Sequence, residues 1–453
     1  VVFGLIQYFF ADLQEISLGR AVSTFGQPDY FAYYIILLIF PLVSSFVREK
    51  KSWKILLLVL SLVALVFTES RGAFVGIFAG ILSYMVMAGF ILKKKKLLVS
   101  AMIVAVAAGS LFYSHSNFLL TRSTETRLRM WNSSLEMIQK KPMFGYGPET
   151  FPMAFQSFAD PQILGLEKLS SIPDKAHNIL IELLVEGGVL FLAFFVLAFG
   201  GILTVALKSK SKDKLAVIGI LSSLIAAFVA NQFGFFAMTH FVIATFLLAK
   251  LTFYISKGFV VKKVRIKKFV EIFLVIFVVA MLIFQNLFVL IADHEVTKGF
   301  GVNNYILATT LNPNQRDYNY ILAMIFNDLG DTKNALYYAE KGGKFAGYND
   351  PYYYFLLGKI LKSESNFEKA FKMAPTYPPI LLEWGKLEVE NGDCRAALEK
   401  FDSYLQLVPN YWQSDDAEQK RLFYKENPTF DLVFQYIDSC KGRLKKTSIS
   451  DII

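Results

Sequence analysis

The sequence predicts an all-α chain: a polytopic helical membrane domain with one long extracytoplasmic loop, followed by a small α-solenoid. Three observations predict it. Of 453 residues, 54% are hydrophobic and 44 are Phe, with a mean hydropathy of +0.43; that is too apolar for a soluble domain of ordinary make-up. The apolar residues gather into runs of about 20 residues, the length that spans a bilayer as helix. From about Asn303 onward the pattern changes to amphipathic helix pairs of the kind that stack into solenoids.

Taken in order, Val1 to Phe10 reads as the end of an apolar span, so further spans are expected ahead of it. Runs of spanning length follow near 29–47, 53–68, 71–92, 97–113, 177–206, 214–232, 235–255 and 267–291. The stretch from Lys54 to Leu92 is 39 residues, roughly 58 Å as helix at 1.5 Å per residue, about two bilayers. Glu69 and Arg71 therefore mark a turn that splits it. Beyond the turn, Gly72, Gly76 and Gly80 share one helical face, which lets another helix approach closely. Pro41 is expected to kink the first full span, and Lys250 to snorkel at the end of its own.

The net charge of +10 raises the possibility of nucleic-acid binding, but the positions of the charges exclude it. Four clusters, Arg48–Lys54, Lys93–Lys96, Lys208–Lys214 and Lys257–Lys268, hold 18 of the 47 basic residues, and each lies between two apolar runs. That is the pattern of cytoplasmic loops in a membrane protein. With those clusters in the cytoplasm, residues 11–28, the turn at Thr68–Arg71, the loop 114–176, the turn near Asn231 and everything after Ile291 lie outside. Two cysteines, Cys394 and Cys440, are too few for a disulfide framework; they read by default as free thiols, with a single bridge between them as the alternative. No cleavable signal peptide is visible.

The expected domains are thus a membrane domain over 1–291, a repeat domain over 292–412 and a helical tail over 413–453. Gly385, Ala397, Phe401 and Pro409 fall at the small, alanine, aromatic and proline positions of a tetratricopeptide repeat. Ala323, Gly330 and Ala335 fit an earlier copy, and Gly358 with Ala370 a middle one whose second helix is short. A groove in such a domain offers a site for a protein partner. Tyr352, Tyr353 and Tyr354 read as packing residues.

Polar residues suited to chemistry collect on the outer face. Arg71 stands at the start of one span and His177 at the start of another, with Arg127 and Arg129 in the loop between them and Arg20 in the first outer segment. All fall at headgroup depth, where the diphosphate of a lipid-linked donor would lie. A guanidinium forks onto phosphate oxygens and keeps its charge. A histidine titrating near neutrality suits removal of a proton from an attacking hydroxyl.

Ser70-Arg71-Gly72-Ala73, Arg127-Leu128-Arg129-Met130-Trp131, Pro142-Met143-Phe144-Gly145-Tyr146-Gly147, and His177-Asn178 followed by Glu186-Gly187-Gly188 resemble motifs of the O-antigen ligase/polymerase family. So does Gly19-Arg20 with Thr24-Phe25-Gly26-Gln27-Pro28-Asp29, although asparagines are usual where Gln27-Pro28-Asp29 stands. The resemblance covers about residues 16–250. It implies a metal-independent membrane glycosyltransferase, without cofactor, that moves a glycan from a polyprenyl (undecaprenyl) diphosphate donor to a glycan, lipid or protein acceptor outside the cytoplasmic membrane. It implies His177 as base or acceptor-orienting residue and Arg71 and Arg127 as diphosphate ligands. Arg20 and Arg129 would assist at the substrate, and Glu186 would support the helix that carries His177.

Each residue also has a plainer reading. Asn178 suits a helix N-cap, so the His-Asn pair can be a cap alone. Arg71 can close a hairpin with Glu69. Trp131 can be a packing anchor or a platform for sugar. Gly145 and Gly147 read as turn glycines, since no lysine-serine follows to make a phosphate loop. His115, His240 and His294 share no ligand spacing, so no metal site is expected. The rival functions are a protein O-oligosaccharyltransferase, a glycolipid transporter and a membrane-tethered scaffold. A transporter predicts charges lining a path at mid-membrane depth, and the span interiors are nearly free of charge.

Overall fold

The computed structural model describes residues 1–9, 19–114, 122–163, 169, 172–209, 211–256, 268–299, 301–408, 410–415 and 417–450. His115, Pro409 and nearly all of the Lys257–Lys268 cluster fall outside them. Among the described residues the fold is entirely helical, without a strand. Two compact units divide it: residues 1–151 with 174–261, and residues 152–173 with 262–453.

The first unit is a bundle of apolar helices. Among the described residues three helices, Pro28–Glu49, Arg71–Ile91 and Ile179–Lys208, are long and apolar enough to cross a membrane, and Ser52–Phe67, Lys214–Ala230 and Thr239–Ile255 are shorter apolar helices. Pro28–Glu49 is the buried axis, with Phe31, Ile36 and Leu37 fully enclosed. It starts with Pro28 in the first turn, where a missing N–H costs nothing, and Pro41 lies inside it. The turn expected near Thr68–Arg71 is present, with Glu69 at φ 50° and Arg71 opening the next helix.

The Gly72/Gly76/Gly80 face lies against the Lys214–Ala230 helix. A β-carbon at Gly76 would stand 2.6 Å from the Ala226 carbonyl oxygen, and one at Gly80 would stand 2.8 Å from the Ala226 β-carbon. Ile179–Lys208 is the opposite case. Phe194 is 67% and Leu197 75% exposed, so its flank is a surface for lipid.

Two basic clusters meet at one end of this bundle, where Arg48 pairs with Asp213 and the buried Lys54 ammonium donates to Ser45 Oγ at 2.6 Å. The other end gathers the opposite helix termini. There Ala21 N–H donates to Phe67 O at 2.8 Å, Tyr33 Oη to Ala230 O at 3.2 Å, and Ile179 N–H to Asn231 O at 3.0 Å. His240 is fully buried there, with Nε2 2.7 Å from Tyr30 O and Nδ1 accepting from Ala237 N–H at 3.1 Å. It ties one helix start to another.

The stretch expected to be loop over 114–176 contains a 19-residue helix, Arg122–Lys140. Thr126, Met130, Ser133, Ser134 and Met137 are buried along it, at spacings of three and four that place them on one face.

In the second unit the helices Arg316–Asp328 and Thr332–Phe345, Pro351–Leu361 and Glu364–Met373, and Pro378–Asn391 and Cys394–Leu407 form three successive pairs. Ala323 with Ala335, Gly358 with Ala370, and Gly385 with Ala397 stand 12 residues apart in each pair. The rings of Phe367 and Phe401 fill the space where β-carbons at Gly358 and Gly385 would be. The second helix of the middle pair has 10 residues against 14 in its neighbours. Residues from 152–173 pack into this unit: Thr376 Oγ1 donates to Gln156 O at 3.0 Å and Leu169 N–H to Asn427 Oδ1 at 2.9 Å. Cys394 and Cys440 are buried, free thiols in one apolar cluster.

Candidate functional site

At the end of the first unit away from Arg48 and Asp213, Arg71 and Arg127 line one cavity of about 290 Å³. Arg71 is there because the turn after Thr68 starts a helix at that residue. Arg127 is there because the Thr126/Met130/Ser134 face of its own helix is turned inward. Val75, Leu128 and Phe233 supply apolar wall, and Trp131, one turn beyond Arg127, closes the side. Two fixed positive charges in a pocket walled by hydrocarbon are poorly screened, so they attract an anion strongly.

His177 stands beside this cavity, half-buried, its ring 5.1 Å from that of Phe235 and edge-on to it. Burial, and then the Arg127 guanidinium, lower its pKa from the usual 6.5 against the pull of Asp174 and Asp29. The ring is therefore neutral at pH 7 and able to accept a proton. Its backbone is left-handed, with φ 52°.

Asn178 does cap the following helix, its Oδ1 accepting from Leu180 and Ile181 N–H at 3.0 and 3.1 Å. The capping reading thus holds for Asn178, and the His177 ring takes no part in it. The indole N–H of Trp131 donates to Ala176 O at 2.8 Å, so this tryptophan touches both the cavity and the residue before His177.

The remaining expected site residues lie elsewhere in the unit. Arg20 donates to Thr68 O at 2.7 Å and pairs with Asp29 at 3.6 Å, which fastens the entry to the first long helix. Arg129 is bound by Glu125 one turn back, at 2.9 Å, and two residues from Arg127 on a helix means the far side from the cavity. Glu186 belongs to a cluster on Lys175, whose ammonium meets Glu149 at 2.7 Å, Glu182 at 3.5 Å and Glu186 at 3.8 Å. Burial lowers the Lys175 pKa, but the three carboxylates outweigh it and the net shift is upward.

The glycine motifs form one joint. The Ile179–Lys208 helix breaks at Gly188, where φ is 66° and ψ −171°, and Pro142–Gly147 lies along the break. Tyr146 N–H donates to Val185 O at 2.8 Å, Gly147 N–H to Glu186 O at 2.9 Å, and Val189 N–H to Pro142 O at 2.8 Å. A β-carbon at Gly145 would stand 2.5 Å from the Glu186 carbonyl carbon. Gly145 and Gly147 do sit at positive φ, 65° and 110°, but their turn exists to dock into a helix.

Sequence reasoning passed over Glu182, Lys175 and Phe235. Glu182 had a readable signal, an acid in the first turn after a good N-cap. Among the described residues no group of three His, Cys, Asp or Glu is placed to hold a metal ion. In the second unit a cavity of about 370 Å³ is lined partly by Lys359, Lys362 and Lys386. Each of these lysines pairs with a carboxylate of the same lining, Lys359 and Lys386 with Glu383 and Lys362 with Glu390.

No curated protein matches the chain in comparison. Residues 56–196, which include Arg71, Arg127, Arg129, Trp131, His177 and Glu186, match the model of the O-antigen ligase family, a similarity that points to glycan transfer in surface polysaccharide synthesis and, with the apolar helices, to a membrane protein.

Proposed function

We propose that the chain transfers a glycan from a polyprenyl-diphosphate donor to an acceptor hydroxyl at the outer face of the cytoplasmic membrane, as a surface-polysaccharide ligase or polymerase. The observation that carries this reading is the convergence of Arg71 and Arg127 on one apolar-walled cavity with a neutral imidazole beside it. The diphosphate takes the two guanidinium groups. The acceptor oxygen attacks the anomeric carbon and the bond from that carbon to the phosphate oxygen breaks, with inversion. His177 receives the acceptor's proton, and Arg71 and Arg127 hold the charge left on the diphosphate. With a leaving group already activated, orientation and charge neutralisation suffice, and no metal is needed.

The basic clusters support a topology in which the Arg48/Asp213 end of the bundle faces the cytoplasm and the cavity faces outward. The three helix pairs over 316–407 are then an extracytoplasmic tetratricopeptide-type domain, with a protein partner or acceptor as its ligand.

The test is transfer by the purified chain from a polyprenyl-diphosphate glycan to saccharide, lipid and peptide acceptors, with and without chelator. His177→Ala and Arg71→Ala should each lower transfer by at least about 10²-fold while leaving insertion intact. Wild-type rates in either variant discard the assignment. Loss of transfer on chelation discards the metal-free mechanism, and transfer to peptide alone makes the chain a protein O-oligosaccharyltransferase.

A further inference from the structure

We propose that Trp131 and Glu182 are positioning residues that set the His177 imidazole by gripping the Ala176 peptide from both sides. His177 carries a β-carbon yet sits at φ 52°, a region that residues with a β-carbon seldom adopt and that neighbouring contacts help to hold. On its N-terminal side the Ala176 carbonyl accepts from Trp131 Nε1–H at 2.8 Å and the Ala176 N–H donates to Glu182 Oε2 at 2.6 Å. Ala176 itself is fully buried, so water offers neither group a substitute. On the C-terminal side Ile179 N–H donates to Asn231 O at 3.0 Å, and Asn178 Nδ2–H to Gln232 O at 3.3 Å. The imidazole thus projects from a stretch of backbone that is fastened by hydrogen bonds on both sides.

The two gripping residues come from different elements, and that gives the grip its use. Trp131 is four residues beyond Arg127 on one helix, so the helix that presents a guanidinium to the cavity also fixes the backbone that carries the base. Glu182 lies in the first turn of the helix that follows His177, and Lys175 holds its other oxygen at 3.5 Å. Base and leaving-group ligand are thereby locked to a common frame. A displacement of about 1 Å between such groups is enough to cost about 10²-fold in rate.

This rests on the reading of His177 as the proton acceptor, and the experiment separates the two. Purified full-length chain is assayed for transfer as Trp131→Phe, Glu182→Ala, Glu182→Gln, the Trp131→Phe/Glu182→Ala double variant and His177→Ala. The folded fraction of each is read as the monodisperse peak in detergent. Trp131→Phe keeps the ring and removes only the donor. It and Glu182→Ala should each lower kcat about 10- to 100-fold with KM for donor nearly unchanged, and should combine less than additively. Glu182→Gln keeps an oxygen that can accept from Ala176 N–H and should restore most of kcat. In both weakened variants the acid limb of the pH profile should move toward 6.5, the ordinary histidine value, as the ring loosens from its buried place near Arg127.

Full activity in His177→Ala sinks the functional reading itself. An inactive His177→Ala beside wild-type kcat in Trp131→Phe and Glu182→Ala overturns the grip alone. So does a loss that only tracks the folded fraction with an unmoved pH profile, or a Glu182→Gln as weak as Glu182→Ala.

Discussion

Replacing Gly188 by alanine should unseat the joint on which the candidate site is mounted. At φ 66° and ψ −171° the backbone occupies a region that only glycine enters freely, at a cost of about 1–3 kcal/mol for any other residue. Space is also lacking, since a β-carbon there would lie 2.6 Å from Phe144 N, with the Met143 carbonyl nearer still. Those are backbone atoms and cannot swing aside. Relief requires Pro142–Gly147 to leave the helix break, with loss of the bonds Tyr146 N–H to Val185 O, Gly147 N–H to Glu186 O and Val189 N–H to Pro142 O, about 1 kcal/mol each. The total is about 4–6 kcal/mol, in the range reached only by a named structural fault. For a unit of this size that is a fall in Tm on the order of 10 °C. Thermal melts of detergent-purified protein followed by size-exclusion measure it. Gly201→Ala is the internal control, since a β-carbon at Gly201 meets nothing within 4 Å. That variant should melt within a few degrees of wild type. If Gly188→Ala melts with Gly201→Ala, the argument for the joint is wrong.

Two further outcomes follow from the geometry. The folded state holds the His177 pKa below 6.5 through burial and the nearness of Arg127. Its contribution to stability is therefore complete above pH 6.5 and fades as pH falls toward the folded value, because only the unfolded chain gains the proton in that window. Melts from pH 8 to pH 5 should show this decline, and His177→Gln should remove it; an equal decline in that variant assigns it to other groups. Gly76→Ala puts a β-carbon 2.6 Å from the Ala226 carbonyl oxygen and should cost about 1–3 kcal/mol by forcing two helices apart. An unchanged melt would contradict the close packing of Arg71–Ile91 on Lys214–Ala230.

Much of the helical layout was readable along the chain. The runs expected at 71–92 and 214–232 are helices at Arg71–Ile91 and Lys214–Ala230, and the run at 177–206 is Ile179–Lys208. The glycine face of Gly72, Gly76 and Gly80 is a helix contact, as its spacing of four required. The Arg122–Lys140 helix was missed because its composition is polar, although Thr126, Met130, Ser133 and Met137 carry a helical period. The site was legible as a set of charged residues at span ends. Which of them share a cavity was not, because Arg127 and Arg129 look alike in sequence and differ only in the face of the helix they occupy.

What the sequence alone determined is local. Apolar runs set where helices lie, and Asn178, Pro28 and the Glu69 turn set where they begin, because those preferences act over one turn of chain. What only the tertiary structure decided is the pairing of distant segments. Nothing near Pro142–Gly147 announces that it fills a break at Gly188. Nothing near Ser157 announces the hydrogen bond to Met373, 216 residues away. Such contacts form when two distant pieces of chain satisfy each other's hydrogen-bonding groups. That demand is fixed by the folded arrangement and leaves no periodic trace in either strand of sequence.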